Sequence, residues 1–198
     1  MSECSMLKIS ETILKTGQLD VMRPWYRTVL GVDAFFEHDK PPSAGPGDFG
    51  GQTRASDLRM CFFRLSAAFP YTQMIGIFEE PGVLTQPAKN APGLHHMQLM
   101  LPDFDAWIKK YEALAVAGMR PHRTANHGIM TSFYYRDPDG NNVELTVQNF
   151  PTFEAMNAFM RSAYFKSNPS GVEIDDPDAF VARYRSGVSA ADLTRLTD

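Results

Sequence analysis

Apolar positions fall into two rhythms along this chain, and the order in which the rhythms alternate is the first structural information. Leu19, Met22, Tyr26, Val29 and Leu30 recur at spacings of three and four, which predicts a helix over 18–30. Pro24 is expected within its first turns, where a missing N–H costs least, and Gly31 is expected to close it in the left-handed conformation. Runs of strand formers predict strands at 7–16 and 32–38 around this helix, and again at 59–65 and 73–79. Residues 39–57 are rich in Pro, Gly and Ser and read as a long loop, the best candidate for a lid.

The same order then returns. A strand is predicted at 94–101, Asp103 is a plausible N-cap, and Phe104, Trp107, Ile108, Tyr111, Leu114 and Ala115 mark a helix over 104–117 closed by Gly118. Strands follow near 119–125, 130–136 and 142–148. An offset of 85 residues places Leu14 on Leu99, Leu19 on Phe104, Asp20 on Asp105, Tyr26 on Tyr111 and Glu11 on His96. The expected organisation is a β-α-β-β-β module over 1–80, a proline-containing linker over 81–92, a second module over 93–150 and a helical C-terminal extension over 151–198. Helices are expected in that extension at 153–165, near 177–185 and near 189–196, with Asn168-Pro169-Ser170-Gly171 between the first two. The fold class is α+β.

Chemistry concentrates at 126–145. Asp137-Pro138-Asp139-Gly140-Asn141 supplies turn residues between two alternating strands, so this stretch predicts a β-hairpin. Symmetry about Asp139 puts Tyr134 opposite Glu144, and cross-strand partners share a face. Val143, Leu145 and Val147 bury one face and send Glu144, Thr146 and Gln148 to the other. A buried carboxylate needs a partner, which is either a functional group or a hydrogen bond from Tyr134. On the preceding module strand, Met97, Leu99 and Leu101 form the apolar set, leaving His96 and Gln98 on the open face. His95 is the competing histidine, expected at the strand end or surface.

Composition narrows the class. Hydrophobic residues make up 43% and aromatics 12%, enough for a substantial core. A net charge of −4 gives no electrostatic reason to bind nucleic acid or an anionic membrane. Two cysteines, Cys4 and Cys61, fit a reducing compartment better than a disulfide scaffold. No apolar run approaches a membrane span, and the N-terminal residues lack signal-peptide features. The expectation is a soluble cytoplasmic protein. Its 11 methionines and 14 phenylalanines fit a core and, beyond that, an apolar pocket.

Three stretches carry a family resemblance. They are Trp25-Tyr26-x-x-Val29-Leu30-Gly31, His96-Met97-Gln98-Leu99, and the set His127, Phe133, Tyr134, Asp137, Pro138, Gly140 and Glu144, in which five residues separate His127 from Phe133. Over roughly 7–148 they resemble the vicinal-oxygen-chelate superfamily, which includes glyoxalase I, epimerases, bleomycin-resistance proteins and extradiol ring-cleavage dioxygenases. The last set is similar to the extradiol signature, with only Ala125 departing from the usual residues.

The resemblance implies curled mixed sheets around a funnel-shaped cavity and a divalent metal held by Glu11, His96 and Glu144. It places His127 and Tyr134 beside the substrate as proton-handling groups. Gln73 and Gln98 are candidate polar lining. One histidine with two carboxylates is a harder donor set than the facial triad of two histidines and one carboxylate; it suits Mn, Mg, Ni or Zn as well as Fe(II). Without a metal, Glu11 reads as a buried general base or as a surface glutamate. Where many relatives carry a further proton-transferring histidine, this chain has Tyr71-Thr72-Gln73-Met74. The implied activity is metal-dependent cleavage of a catecholic ring next to its diol, with Fe(II) the first choice of metal. The alternatives are a glyoxalase- or epimerase-like isomerase or lyase working through an enediolate, and a metal-free protein that sequesters apolar ligands. The implied assembly is a homodimer.

Overall fold

The computed structural model describes residues 7–39, 48–49, 52–68, 70–83 and 93–196. The chain separates into two compact units, Met1–Ala91 with Asp137–Gly140, and Pro92–Arg136 with Asn141–Asp198. The expected linker falls mostly on 84–92, outside the described residues, as do 40–47 and 50–51 of the expected long loop.

The first unit runs β1 (Glu11–Thr16), α1 (Leu19–Leu30), β2 (Phe36–His38), β3 (Asp48–Phe49), β4 (Gln52–Thr53), a 3-10 turn (Ala55–Asp57), β5 (Arg59–Ala68) and β6 (Tyr71–Glu79). Its main sheet has the order β1-β6-β5-β2, with β1 parallel to β6 and the other pairs antiparallel. The parallel pair follows from α1, a crossover that lets β1 and β2 point the same way at opposite edges. One sheet face carries Leu14, Thr16, Cys61, Phe63, Ile75 and Ile77, all buried with Leu19, Met22, Tyr26 and Val29 of α1. The hairpin tip Asp137–Gly140 groups with this unit. Tyr26 donates its hydroxyl to Asp137 Oδ2 at 3.0 Å, and Gln18 Nε2 donates to Asp139 Oδ1 at 2.6 Å.

Three local readings change. Strand pairing begins at Glu11 rather than at residue 7, leaving Leu7 87% and Ile9 74% exposed. Pro24 is the sixth residue of α1, past the free first-turn donors, so the helix forgoes its bond to the Asp20 carbonyl. After Gly31, which is left-handed at φ 72° as expected, the chain stays irregular until Phe36.

The second unit repeats the plan: β7 (Met97–Met100), α2 (Phe104–Val116), β8 (Arg123–Asn126), β9 (Met130–Arg136) and β10 (Asn142–Gln148). It continues into α3 (Phe153–Met160), α4 (Ala163–Ser167), β11 (Val172–Glu173), α5 (Pro177–Arg185) and α6 (Ala190–Leu193). The sheet order is β11-β8-β9-β10-β7, with β7 parallel to β10, so the module topology matches the first and β11 is added at the far edge. Asp103 caps α2 by accepting from Ala106 N at 2.8 Å. Trp107 ties helix to sheet, donating Nε1–H to the Leu145 carbonyl at 2.9 Å and meeting the Phe133 ring at 4.3 Å between centroids. The expected helix over 153–165 is two helices, because Ser162 starts a new one by accepting from Phe165 N. The two-residue β11 shows no period of its own and is a strand only because β8 offers an edge.

The α+β class with two mixed sheets agrees with the sequence reading. Among the described residues, no helix is long and apolar enough to cross a membrane.

Candidate functional site

In the β9–β10 hairpin, Asp137 accepts from Gly140 N at 2.9 Å to close the turn, and its side chain accepts from Asp139 N at 3.0 Å. Gly140 has φ 83°, which glycine adopts without cost. This turn sets the register, and Glu144 pairs with Tyr134 as the symmetry of the hairpin requires. Glu144 in turn pairs with Gln98 on β7, so one sheet face carries Gln98, Glu144 and Tyr134 across three strands. Next along that face, Ser132 and Thr146 are buried and satisfied: Ser132 Oγ donates to Thr146 Oγ1 at 3.0 Å, which donates to the Thr131 carbonyl at 3.1 Å.

Glu144 is 1% exposed. Its Oε2 lies 3.3 Å from His96 Nε2, yet the atom has no partner in hydrogen-bond geometry. The two observations are compatible: the imidazole is close enough to interact but not aligned to donate. A buried carboxylate oxygen left this way costs about 1–3 kcal/mol, more when charged, which makes it a candidate ligand atom. The outer ring nitrogen of His96 is engaged, with His95 Nδ1 at 2.7 Å from His96 Nδ1. One of these nitrogens must carry the proton. If His96 does, its Nε2 lone pair is free for a cation, and His95 becomes its orienting partner.

His127 sits between β8 and β9. Its Nε2 is 2.8 Å from the Tyr134 hydroxyl, and its Nδ1 is 2.8 Å from the Ser170 carbonyl. Burial and the neighbouring Glu144 carboxylate push the Tyr134 hydroxyl up to about 12, with Arg123 opposing them. The phenol therefore stays protonated at neutral pH. Arg123 lies 5.0 Å over the Tyr134 ring and is held by Glu173 at 2.6 Å.

Of the predicted residues, the second unit thus brings together His96, Glu144, Tyr134 and His127, with Gln98 one strand away. Gln98 is exposed and donates to Met130 Sδ at 3.1 Å. Glu11 and Gln73 belong to the first unit. Glu11 is exposed at the start of β1 beside Met74, and Gln73 is exposed on β6 beside Ser66. Among the described residues, no group of three or more His, Cys, Asp or Glu side chains is gathered for a metal. What fits a metal is the pair His96 and Glu144, an imidazole facing an orphaned buried carboxylate oxygen.

The register shows why only one module carries this chemistry. Thr12 pairs with Ile75 as Met97 pairs with Val143, so Gly76 and Phe62 occupy the places of Glu144 and Tyr134. A Cβ at Gly76 would come within 2.9 Å of the Phe62 ring and 2.5 Å of Ile13 Cδ1. On that face of the first unit a cavity of about 510 Å³ is lined by Ile13, Lys15, Phe78 and Leu58 among others, with Lys15 paired to Glu80 at 2.6 Å.

Sequence reasoning missed Arg123, His95 as partner of His96, and Ser170. Arg123 was discoverable, since a strand position opposite Tyr134 shares its face. Ser170 acts through its main-chain carbonyl, which leaves no side-chain signal.

Residues 8–145 match the Glyoxalase/Bleomycin resistance protein/Dioxygenase superfamily. Two proteins of Rhodococcus globerulus are each 30% identical to the chain: biphenyl-2,3-diol 1,2-dioxygenase 2 over 85% of this chain and 77% of its own length, and biphenyl-2,3-diol 1,2-dioxygenase 3 over 94% and 87%. Among solved structures, a glyoxalase/bleomycin resistance protein/dioxygenase domain from Frankia sp. EAN1pec has a TM-score of 0.53 at 16% identity, covering 75% of this chain and 96% of that one. Glyoxalase I of Leishmania major has a TM-score of 0.51 at 18% identity, covering 78% and 96%. These last two likenesses speak to fold alone. With the family profile spanning both modules and the hairpin chemistry in place, the chain belongs to the glyoxalase/bleomycin resistance protein/dioxygenase superfamily.

Proposed function

We propose that this protein is a metal-dependent dioxygenase that opens a catecholic aromatic ring next to its diol. The observation that carries the reading is the buried Glu144 carboxylate, with one oxygen unpartnered, facing His96 and directly across the hairpin from the Tyr134–His127 pair. The two Rhodococcus relatives, named for biphenyl-2,3-diol, support an aromatic diol as substrate.

His96 and Glu144 would hold the divalent metal, Fe(II) by preference. When bound, that ion would supply electrostatic stabilisation of the ionised diol and the redox chemistry toward dioxygen. The protein's own groups handle the protons. His127 in its Nδ1–H form presents a lone pair at Nε2, which takes the proton of a substrate hydroxyl while the Ser170 carbonyl stabilises the charge developing on the ring. Tyr134 keeps its proton, so it serves as a donor and orients the oxygen that His127 deprotonates. The thioethers of Met100 and Met130, bonded by Gln148 and Gln98, give the same face a soft, polarisable character suited to an aromatic ring.

The test is metal analysis of anaerobically purified protein, followed by oxygen uptake on a panel that includes catechol and biphenyl-2,3-diol. Stoichiometric iron and a yellow ring-fission product are expected. Tightly bound metal without oxygen uptake on any diol would reassign the protein to enediolate chemistry. Failure to bind any divalent metal, with ligand affinity unchanged in His96→Ala, would leave a sequestering role.

A further inference from the structure

We propose that the C-terminal extension sets the tautomer of His127, and that Gly171 is the positioning residue that makes this possible. The relevant segment, 168–173, straps across the end of β8. Its strand β11 pairs Val172 with Asn126 and Glu173 with Ala125. Just before the pairing starts, the Ser170 carbonyl meets His127 Nδ1 at 2.8 Å. A carbonyl only accepts, so in the neutral ring this contact holds the proton on Nδ1 and leaves the Nε2 lone pair for the Tyr134 hydroxyl. A neutral imidazole in water favours the opposite form. There Nε2–H would donate to Tyr134, and the lone pair would point away from the face that carries Glu144.

Gly171 is what lets the strap come this close. It has φ +73°, and a Cβ on it would stand 2.0 Å from the Asn126 carbonyl oxygen and 2.6 Å from His127 Cα. Both obstacles are backbone, so they cannot swing aside. The same extension braces the other side of the turn. Asn126 Nδ2 donates to the Thr194 carbonyl at 2.9 Å, and a Cβ on Gly128 would meet the Phe159 ring at 2.5 Å. Glu173 also holds Arg123 over the Tyr134 ring. One peripheral segment thus controls both members of the His127–Tyr134 pair.

The tautomer assignment stands independently of ring cleavage; only its catalytic consequence rests on the proposed function. It is tested in the absence of metal and substrate, by long-range proton–nitrogen correlation on histidine-labelled full-length protein, with His127→Gln assigning the resonance. Wild type is expected to show Nδ1–H. Gly171→Ala is expected to shift His127 to the Nε2–H form. Gly118→Ala, at φ +77° with no atom within 4 Å of its Cβ, is expected to leave His127 unchanged. In the metal-loaded enzyme, Gly171→Ala should lower kcat by roughly 10²-fold with metal content and KM retained. Nε2–H in wild type, or Nδ1–H persisting in a folded Gly171→Ala, overturns the proposal. If that variant does not fold, wild type decides: a coupling through the hydrogen bond from Nδ1 to the Ser170 carbonyl carbon supports the strap, and its absence overturns it. An Nδ1–H tautomer in a protein inert toward every diol would sink the ring-cleavage reading and leave the strap standing.

Discussion

Glu144 on β10 and His96, the residue just before β7, face each other at 3.3 Å, the first fully buried and the second open to solvent on one side. The carboxylate oxygen turned toward the imidazole has no hydrogen bond, although it sits in a unit whose neighbouring Ser132 and Thr146 are fully satisfied. In a packed interior such an atom is costly unless something binds it.

Replacing Glu144 by Gln therefore has two opposite effects. Without metal, the variant is expected to be more stable, by at most about 1–3 kcal/mol, because a neutral amide costs less to bury without a partner than a carboxylate does. With metal, the wild type gains stability by mass action, about 2.7 kcal/mol at a hundredfold excess over Kd, and the variant does not. Thermal melts with and without Fe(II) or Mn(II) measure both; equal metal-induced shifts would remove Glu144 from the ligand set.

Tyr134→Phe keeps the ring under Arg123 and deletes only the hydroxyl that pairs with His127. A fall in kcat of roughly 10²-fold is expected, with stability changed by no more than about 1.5 kcal/mol. Oxygen-uptake kinetics beside denaturant unfolding separate the two. Unchanged kcat would make Tyr134 a packing residue.

Alkaline stability carries a signature of the same phenol. Folded Tyr134 keeps its proton up to about 12, whereas an unfolded tyrosine releases it near 10.0. Between those values the unfolded chain binds fewer protons, so stability falls as pH rises; below the lower value the contribution is complete. Tyr134→Phe should flatten this limb, and Arg123→Met should extend it upward, since the guanidinium favours the phenolate. Equilibrium unfolding across the window is the measurement, and parallel curves for wild type and Tyr134→Phe would contradict the prediction.

Cys61 is fully buried on β5, and burial pushes its thiol up to about 11. It should resist alkylation at pH 8 in the folded protein and react after denaturation, because the thiolate is the reactive form. Mass mapping after brief iodoacetamide treatment reads this directly. Labelling of Cys61 in the native state would mean that the α1–sheet core opens readily.

What the sequence determined by itself was local or periodic. Spacings of three and four placed α1 and α2, the Asp-Pro-Asp-Gly turn forced the register that sets Tyr134 against Glu144, and alternation put His96 and Gln98 on one face. Each rests on short-range geometry, so a few residues suffice to specify it. Only the tertiary structure decided the rest. Pairing, not propensity, started β1 at Glu11 and made a strand of Val172–Glu173. The partner of His127 Nδ1 comes from 43 residues along the chain and is a main-chain carbonyl, which no residue type announces. Whether Glu144 was satisfied also had no local answer, because the hydrogen-bond balance of a buried group depends on everything packed around it.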